Sequence, residues 1–130
     1  MELLDKTRLG ILILKRTNGE PLGVPIWFDW NGEKLQFFAG TDSQKVKRFQ
    51  ENPRVSILVA NNVGEPESWI AFDGDVQAGQ GEAIDLVTAL AHRYWDMKQP
   101  DNREKLNSWQ RFPEAFVRFE MVPDKIRQGS

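Results

Sequence analysis

The chain contains no cysteine. That excludes a disulfide framework, a zinc–thiolate site and a cysteine nucleophile, and it suits a cytoplasmic protein. There is one histidine, His92. It falls within a helical pattern and lacks the partners of a catalytic site, so it reads as a surface helix residue. No long apolar run occurs. The longest, Ile11 to Leu14 with Leu9 nearby, is far too short to span a bilayer. The opening "MELLDKTR" has neither the apolar core nor the cleavage site of a secretory leader.

Neither sign of charge dominates. Lys and Arg total 17 against 19 Asp and Glu, a net charge of -2. Basic residues are interleaved with acidic ones, which argues against a nucleic-acid face or an anionic membrane surface as partner. Asp42, Asp73 and Asp75 have no supporting His or Cys, so no metal site is expected. Neither G-x-S-x-G nor G-x-G-x-x-G occurs. Without repeats, linkers or low-complexity blocks, residues 1–130 are expected to form one domain.

Aromatic surface, by contrast, is plentiful: five Trp and eight Phe stand beside one Tyr. Such residues chiefly build a core. A few of them lining a slot for a flat ligand or a subunit interface is the sharper alternative.

Hydrophobic periodicity gives the outline. A short helix is expected over Glu2 to Thr7. "LGILILKR" (Leu9–Arg16) reads as a strand apolar on both faces, hence buried on both. Asn18-Gly19 is a hairpin turn, Pro21–Trp30 a second strand, Asn31–Glu33 another turn and Lys34–Gly40 a third strand, together a meander. "SQKVKRFQEN" is a helix with Val46 and Phe49 inward, stopped by Asn52-Pro53. Arg54–Ala60 and Ser68–Gly81 are the fourth and fifth strands, with Gly74 marking a bulge or a close backbone approach. An amphipathic helix over Glu82–Met97 carries Ile84, Val87, Ala91, Tyr94 and Trp95 on one stripe. The segment "DNREKLNSWQ" is a second helix. Trp95 and Trp109, in these two helices, are expected in a core or an interface. Glu114–Val122 alternates as a sixth strand. The expected fold is mainly β with flanking helices, a six-stranded antiparallel split barrel.

The helix after Gly40 carries its positive charge at the wrong end. Helix N-termini favour acids, and each cation in the first turn costs about 0.3–1 kcal/mol. Asp42 conforms, and Thr41 with Gln44 has the spacing of a capping box. Lys45 nevertheless falls in the first turn, followed by Lys47 and Arg48. A docked phosphate would reverse the sign, accepting from backbone N–H groups, from the Thr41 and Ser43 hydroxyls and from Lys45. Gly40 would let it approach. A capped helix with an exposed basic face accounts for the same residues. Pro25, in mid-strand, donates nothing to a ladder, so one side of that strand must lack a partner. An ordinary edge strand explains this, and so does a ligand lying against it.

The stretch "GEPLGVPIWFDWNGEKLQFFAGTDSQKVKRFQENPRVSILV" followed by "WIAFDGDVQ" resembles the flavin-binding split barrels related to pyridoxamine 5′-phosphate oxidase. The shared order is G-x-P, VP followed by apolar and aromatic residues, a hairpin, a strand ending in Gly-Thr, an S-x-K helix start and "NPRVSI". It covers about Thr7 to Gly81.

The resemblance implies a homodimer binding flavin mononucleotide (FMN), or a deazaflavin coenzyme, at the subunit interface. It places Thr41, Ser43 and Lys45 at the cofactor phosphate. Val24, Pro25 and Ile26 would run along the ring system, Ala39 and Gly40 beneath it, and Trp69 would reach the cofactor of the other subunit. The implied activity is flavin-dependent oxidation–reduction of a small molecule, with no catalytic side chain named. The family enzyme's basic and aromatic C-terminal segment has no counterpart in "FEMVPDKIRQGS", so vitamin metabolism is not implied. A deazaflavin's acidic tail would call on Lys47, Arg48 and Arg54. A non-catalytic flavin- or haem-binding protein is the remaining alternative of the same fold.

Overall fold

A computed structural model describes residues 2–130. Helix α1 (Glu2–Asp5) leads into a hairpin of β1 (Gly10–Lys15) and β2 (Pro21–Ile26). At its tip Gly19 takes φ +87°, and the Glu20 N–H donates to Asn18 Oδ1 at 3.0 Å. A second hairpin joins β3 (Asp29–Trp30) to β4 (Leu35–Gly40). Helix α2 (Gln44–Glu51), β5 (Arg54–Ala60) and β6 (Trp69–Ala78) follow. Helices α3 (Ala83–Tyr94) and α4 (Pro100–Gln110) come next, then a 3-10 turn at Pro113–Ala115, β7 (Phe116–Met121) and β8 (Lys125–Gly129).

The strands form one antiparallel sheet in the order β2-β1-β5-β6-β7-β4-β3, with β8 paired to β6. Its two ends, β2 and β3, are joined through Trp27 and Phe28 alone. The sheet thus curls into a split barrel flanked by helices.

Eight strands replace the six expected, for two reasons. The segment 21–30 does not run on as one strand: its first part pairs with β1 and its last two residues with β4. At the break the Phe28 N–H leaves the ladder and donates to the Tyr94 hydroxyl at 3.2 Å. The expected three-strand meander is therefore two separate hairpins. Strand β8 has no hydrophobic alternation to betray it, because Ile126 is its only large apolar residue and is 45 % exposed. It is held by main-chain pairing and by Arg127, which donates to both Asp73 oxygens at 2.8 and 2.9 Å.

Inside the barrel, Leu12, Leu35, Ile57, Val59, Phe72 and Met121 are fully shielded. Phe49 of α2 closes against Phe119 and Phe37, with ring centroids 4.9 and 6.0 Å away, and Val46 packs beside it. Gly74 is a close approach: a Cβ there would lie 2.7 Å from Met121 Sδ and 2.9 Å from the Val122 carbonyl. On β7 the alternation holds, yet outward Glu120 is also buried, with Lys34 Nζ at 2.8 Å and Gln77 Nε2 at 3.3 Å. Pairing of the charge compensates its burial.

A second layer forms where α3 and α4 cover the outer side of β4 and β7. Val87, Ala91 and Leu106 are buried there among Trp27, Phe38, Trp95, Trp109 and Phe116. Trp27 stacks on Tyr94 at 5.2 Å and meets Trp95 edge-on at 4.9 Å. Most of the aromatic excess is spent in these two cores. His92 is exposed, its Nδ1 2.9 Å from the Thr88 carbonyl oxygen.

Strand β1 is buried on only one face within this chain. Leu12 and Leu14 enter the barrel, while Ile11 and Ile13 stand half-buried outside. The register sets Ile11 between Pro25 and Leu58, and Leu58 opposite Ala71, so an apolar row crosses the outer face of β2, β1, β5 and β6.

Candidate functional site

The break at Trp27–Phe28 opens a seam in the barrel. In the β3–β4 hairpin Asp29 opposes Gln36 and Trp30 opposes Leu35. That register, continued, would set Ile26 against Ala39 and Pro25 against Gly40. Strand β2 instead turns away to pair with β1, and β4 has no strand partner on this side beyond Gln36. Ile26 and Ala39 line the core beneath the seam at 6 and 5 % exposure, and Val24 packs against the same core.

Antiparallel alternation decides which backbone groups face the seam. The Arg16 N–H donates to the Glu20 carbonyl at 2.7 Å. Counting on in steps of two, Leu22, Val24 and Ile26 bond to β1, while Pro21, Gly23 and Pro25 point outward. Pro25 is thus the edge-strand proline: its missing N–H costs no ladder bond, and the side left without a partner is the seam. On β4 the Asn31 N–H donates to Lys34 O at 3.3 Å and the Thr41 N–H to Ala115 O at 2.8 Å. By the same count Phe38 and Gly40 turn their backbone groups to the seam and Ala39 turns to β7. Gly23 and Phe38 therefore join the candidate residues. The signal for them is strand parity, legible only once the pairing partners are known.

At the seam's end lies the start of α2. Ser43 is the N-cap, its Oγ accepting the Lys45 N–H at 3.2 Å. The capping box expected of Thr41 and Gln44 does not form. Thr41 is instead drawn toward the turn before β7, its hydroxyl donating to the Glu114 carbonyl at 2.7 Å. That hydroxyl keeps its oxygen as an acceptor but has no proton to spare for an anion. Ser43 Oγ, an acceptor at the cap, keeps its proton as a donor. Lys45 is half-buried and, among the described residues, pairs with no carboxylate within 4.0 Å. Open space surrounds Gly40, where a Cβ would meet nothing nearer than Ala115 O at 3.8 Å. These features suit an anion at Ser43 and Lys45.

The other cations of this helix differ. Arg48 is anchored to the first hairpin, donating to the Lys15 carbonyl and, at 2.9 Å, to Thr17 Oγ1, and it pairs with Glu51 at 2.7 Å. Arg54 is gripped by Asp124, with Asp75 at 3.7 Å, and this acidic company raises its pKa further. Neither is available to an acidic tail as the structure stands. Lys47 is exposed.

Trp69 does not join the seam of its own chain. It opens β6, whose far end, Ala78, pairs with Phe119 of β7. Nearby Ala71 is separated from Pro25, at the seam, by Leu58 and Ile11, three strand spacings of about 4.8 Å. The indole covers Gly129, where a Cβ would lie 2.8 Å from the ring. Beside it a hollow of about 450 Å³, lined by Leu58, Ala60 and Glu67, opens on the outer face.

The family model described as pyridoxamine 5′-phosphate oxidase matches residues 1–120. A comparison with curated proteins finds no match. Among solved structures, an F420 reductase is similar at TM-score 0.74 and 23 % identity, over 97 % of this chain and 94 % of that one. A putative pyridoxamine 5′-phosphate oxidase from Listeria innocua aligns at TM-score 0.69 and 18 % identity, over 98 and 92 %. An FAD-binding protein from Mesorhizobium loti aligns at 0.62 and 21 %, over 99 and 91 %. At these identities the structural likeness speaks for the fold alone. The family match spans nearly the whole chain, and the protein belongs to the pyridoxamine 5′-phosphate oxidase family.

Proposed function

We propose that the protein binds FMN along the seam, as a homodimer, and uses it in oxidation–reduction of a small molecule. The observation that carries this reading is Lys45, a half-buried cation at a helix N-terminus, beside a serine cap and without an acid partner among the described residues. A phosphate at that point relieves the charge conflict and meets the N-terminal N–H groups of α2. Gly23 and Phe38 would offer backbone donors and acceptors, and Pro25 its carbonyl, to the polar edge of a flat ring, and Val24, Ile26 and Ala39 its apolar floor. FMN, when bound, supplies the electron or hydride chemistry. The chain's own part is to anchor the phosphate, orient the ring and keep water from one side of it.

The homodimer is supported by the apolar row Pro25, Ile11, Leu58 and Ala71 on the outer sheet face. Trp69 borders the same face. A second copy seated there would bury Pro25, Ile11 and Leu58, Ala71 being shielded already, and bring one chain's Trp69 toward the other chain's seam.

A deazaflavin coenzyme is the second reading, favoured by the likeness to an F420 reductase. Against it, two of the three cations proposed for its acidic tail, Arg48 and Arg54, already have partners. Titration of the purified protein with FMN and with F420, followed by ultraviolet–visible absorption and flavin fluorescence, tests both readings. FMN is expected to saturate at one per chain, and Lys45→Ala to weaken it about tenfold or more, the scale of one charge-assisted contact. Saturation by F420 alone would replace the cofactor, and binding of neither would overturn the site.

A further inference from the structure

A cleft of about 330 Å³ lies between α3 and the β3–β4 hairpin, on the outer side of the sheet, and meets the end of the seam at Asp29 and Gln36. Its wall holds two guanidiniums, Arg93 and Arg118, and two carboxylates, Asp29 and Asp85. Leu86 and Leu90, 5 and 2 % exposed, form the apolar floor.

Arg118 is built into this wall. The β6–α3 loop wraps its stem through two glycines: a Cβ on Gly79 would lie 2.7 Å from Arg118 Cγ, and one on Gly81 3.2 Å from Nη1. Its terminal nitrogens donate to neutral acceptors, Nη1 to the Glu82 carbonyl at 3.2 Å and Nη2 to Gln36 Oε1 at 2.6 Å. Its Nε is buried and has no acceptor among the described residues. Arg118 is half-buried and its terminal nitrogens bond only to neutral groups, so among the described residues its charge has no direct ion pair. Arg93 is scarcely better matched, because its approach to Asp29 is 3.7 Å, beyond hydrogen-bond length. Asp85 stands exposed in the first turn of α3.

We propose that this cleft binds a zwitterionic, amino-acid-like molecule with an apolar side chain. A simple anion would satisfy the arginines but face two carboxylates. A simple cation would satisfy the carboxylates but face two arginines. An uncharged apolar molecule would leave Arg118 as it is. A ligand with a carboxylate, an ammonium and an apolar body complements the arginines, the aspartates and the leucine floor together. The assignment does not rest on the flavin reading.

Calorimetric titration of the full-length protein tests it with three probes of one shape: L-phenylalanine, 3-phenylpropionate, which lacks the ammonium, and 2-phenylethylamine, which lacks the carboxylate. L-Phenylalanine is expected to bind at one site per chain, and each singly charged probe about tenfold or more weaker, having lost one charge-assisted contact. Arg93→Gln should weaken L-phenylalanine and 3-phenylpropionate alike. Asp85→Asn should weaken L-phenylalanine and 2-phenylethylamine but not 3-phenylpropionate. Both changes are at exposed side chains, which keeps the result independent of whether Arg118 variants fold. Equal binding of the three probes, no binding of L-phenylalanine at about 10 mM, or L-phenylalanine binding unmoved by both substitutions would overturn the proposal.

Discussion

Arg8 holds Glu65 across 57 positions of sequence with two parallel bonds, Nη1 to Oε1 at 2.6 Å and Nη2 to Oε2 at 3.1 Å. Its third arm donates to the Leu3 carbonyl at 2.7 Å, so one guanidinium ties the N-terminal helix to the loop before β6. The hydrogen bonds from Arg8, joined by the Asn62 N–H, draw the Glu65 carboxyl down to about 2 from its ordinary 4.5. A depressed carboxylate contributes stability that is complete above its unfolded value and disappears as pH falls through the folded one. Wild type should therefore melt above Glu65→Gln at neutral pH, and the gap should close between about pH 4.5 and pH 2. Thermal melts across that range check it. A gap that stays constant would show that the carboxylate's charge is not what Arg8 holds.

Gly74→Ala is expected to destabilise by about 1–3 kcal/mol, the usual cost of overpacking. The new methyl would meet the Val122 carbonyl at 2.9 Å, which is main chain, and the sulfur of fully buried Met121 at 2.7 Å. Urea denaturation measures the loss. A midpoint equal to wild type would mean that β6 and β7 separate freely at this crossing.

Tyr94→Phe removes the hydroxyl that accepts from the Phe28 N–H at 3.2 Å and donates to the Arg8 carbonyl at 2.6 Å. Two partly buried backbone groups lose a partner, at a cost of about 1–3 kcal/mol. Since Phe28 is where the sheet breaks, FMN affinity should fall together with stability. Parallel melts and FMN titrations test the coupling, and unchanged affinity in a destabilised variant would separate the hinge from the seam.

Leu58→Arg places a charge in the middle of the outer apolar row, opposite Ile11 and Ala71. The barrel core is untouched, because Leu58 faces outward. Sedimentation velocity should show a dimer for wild type and a monomer for the variant, with weaker FMN binding if Trp69 acts on the partner's seam. A wild-type monomer would remove the interface.

Much of the candidate site is legible before folding, because local chemistry carries it. Lys45 in a first helical turn after Gly40 and Ser43 is a charge conflict visible in six letters, and Pro25 marks a strand with one idle side. Thr41 and Ser43 are chemically similar, so the local sequence does not tell the cap from its neighbour; the pull of Glu114, some 70 residues later, takes Thr41 away from the helix. Apart from Glu51, one turn along the same helix, the partners of Arg48 and Arg54 come from β1, the turn after it and the segment before β8, which no local pattern records.

Sequence alone determined the elements whose signal lies within a few residues: the Asn-Gly and Asn31–Glu33 turns, helices α2 to α4, and the alternation of β7. It also determined that β1 is apolar on both faces. Only the tertiary structure decided where the strand beginning at Pro21 breaks, since that depends on a hydroxyl 66 residues from Phe28. It alone decided that exposed β8 joins the sheet, through main-chain bonds that leave no hydrophobic pattern. It also brought Arg118, Arg93, Asp29 and Asp85 around one cleft. Backbone hydrogen bonds and charges meet by proximity in space, and linear periodicity records only the apolar faces.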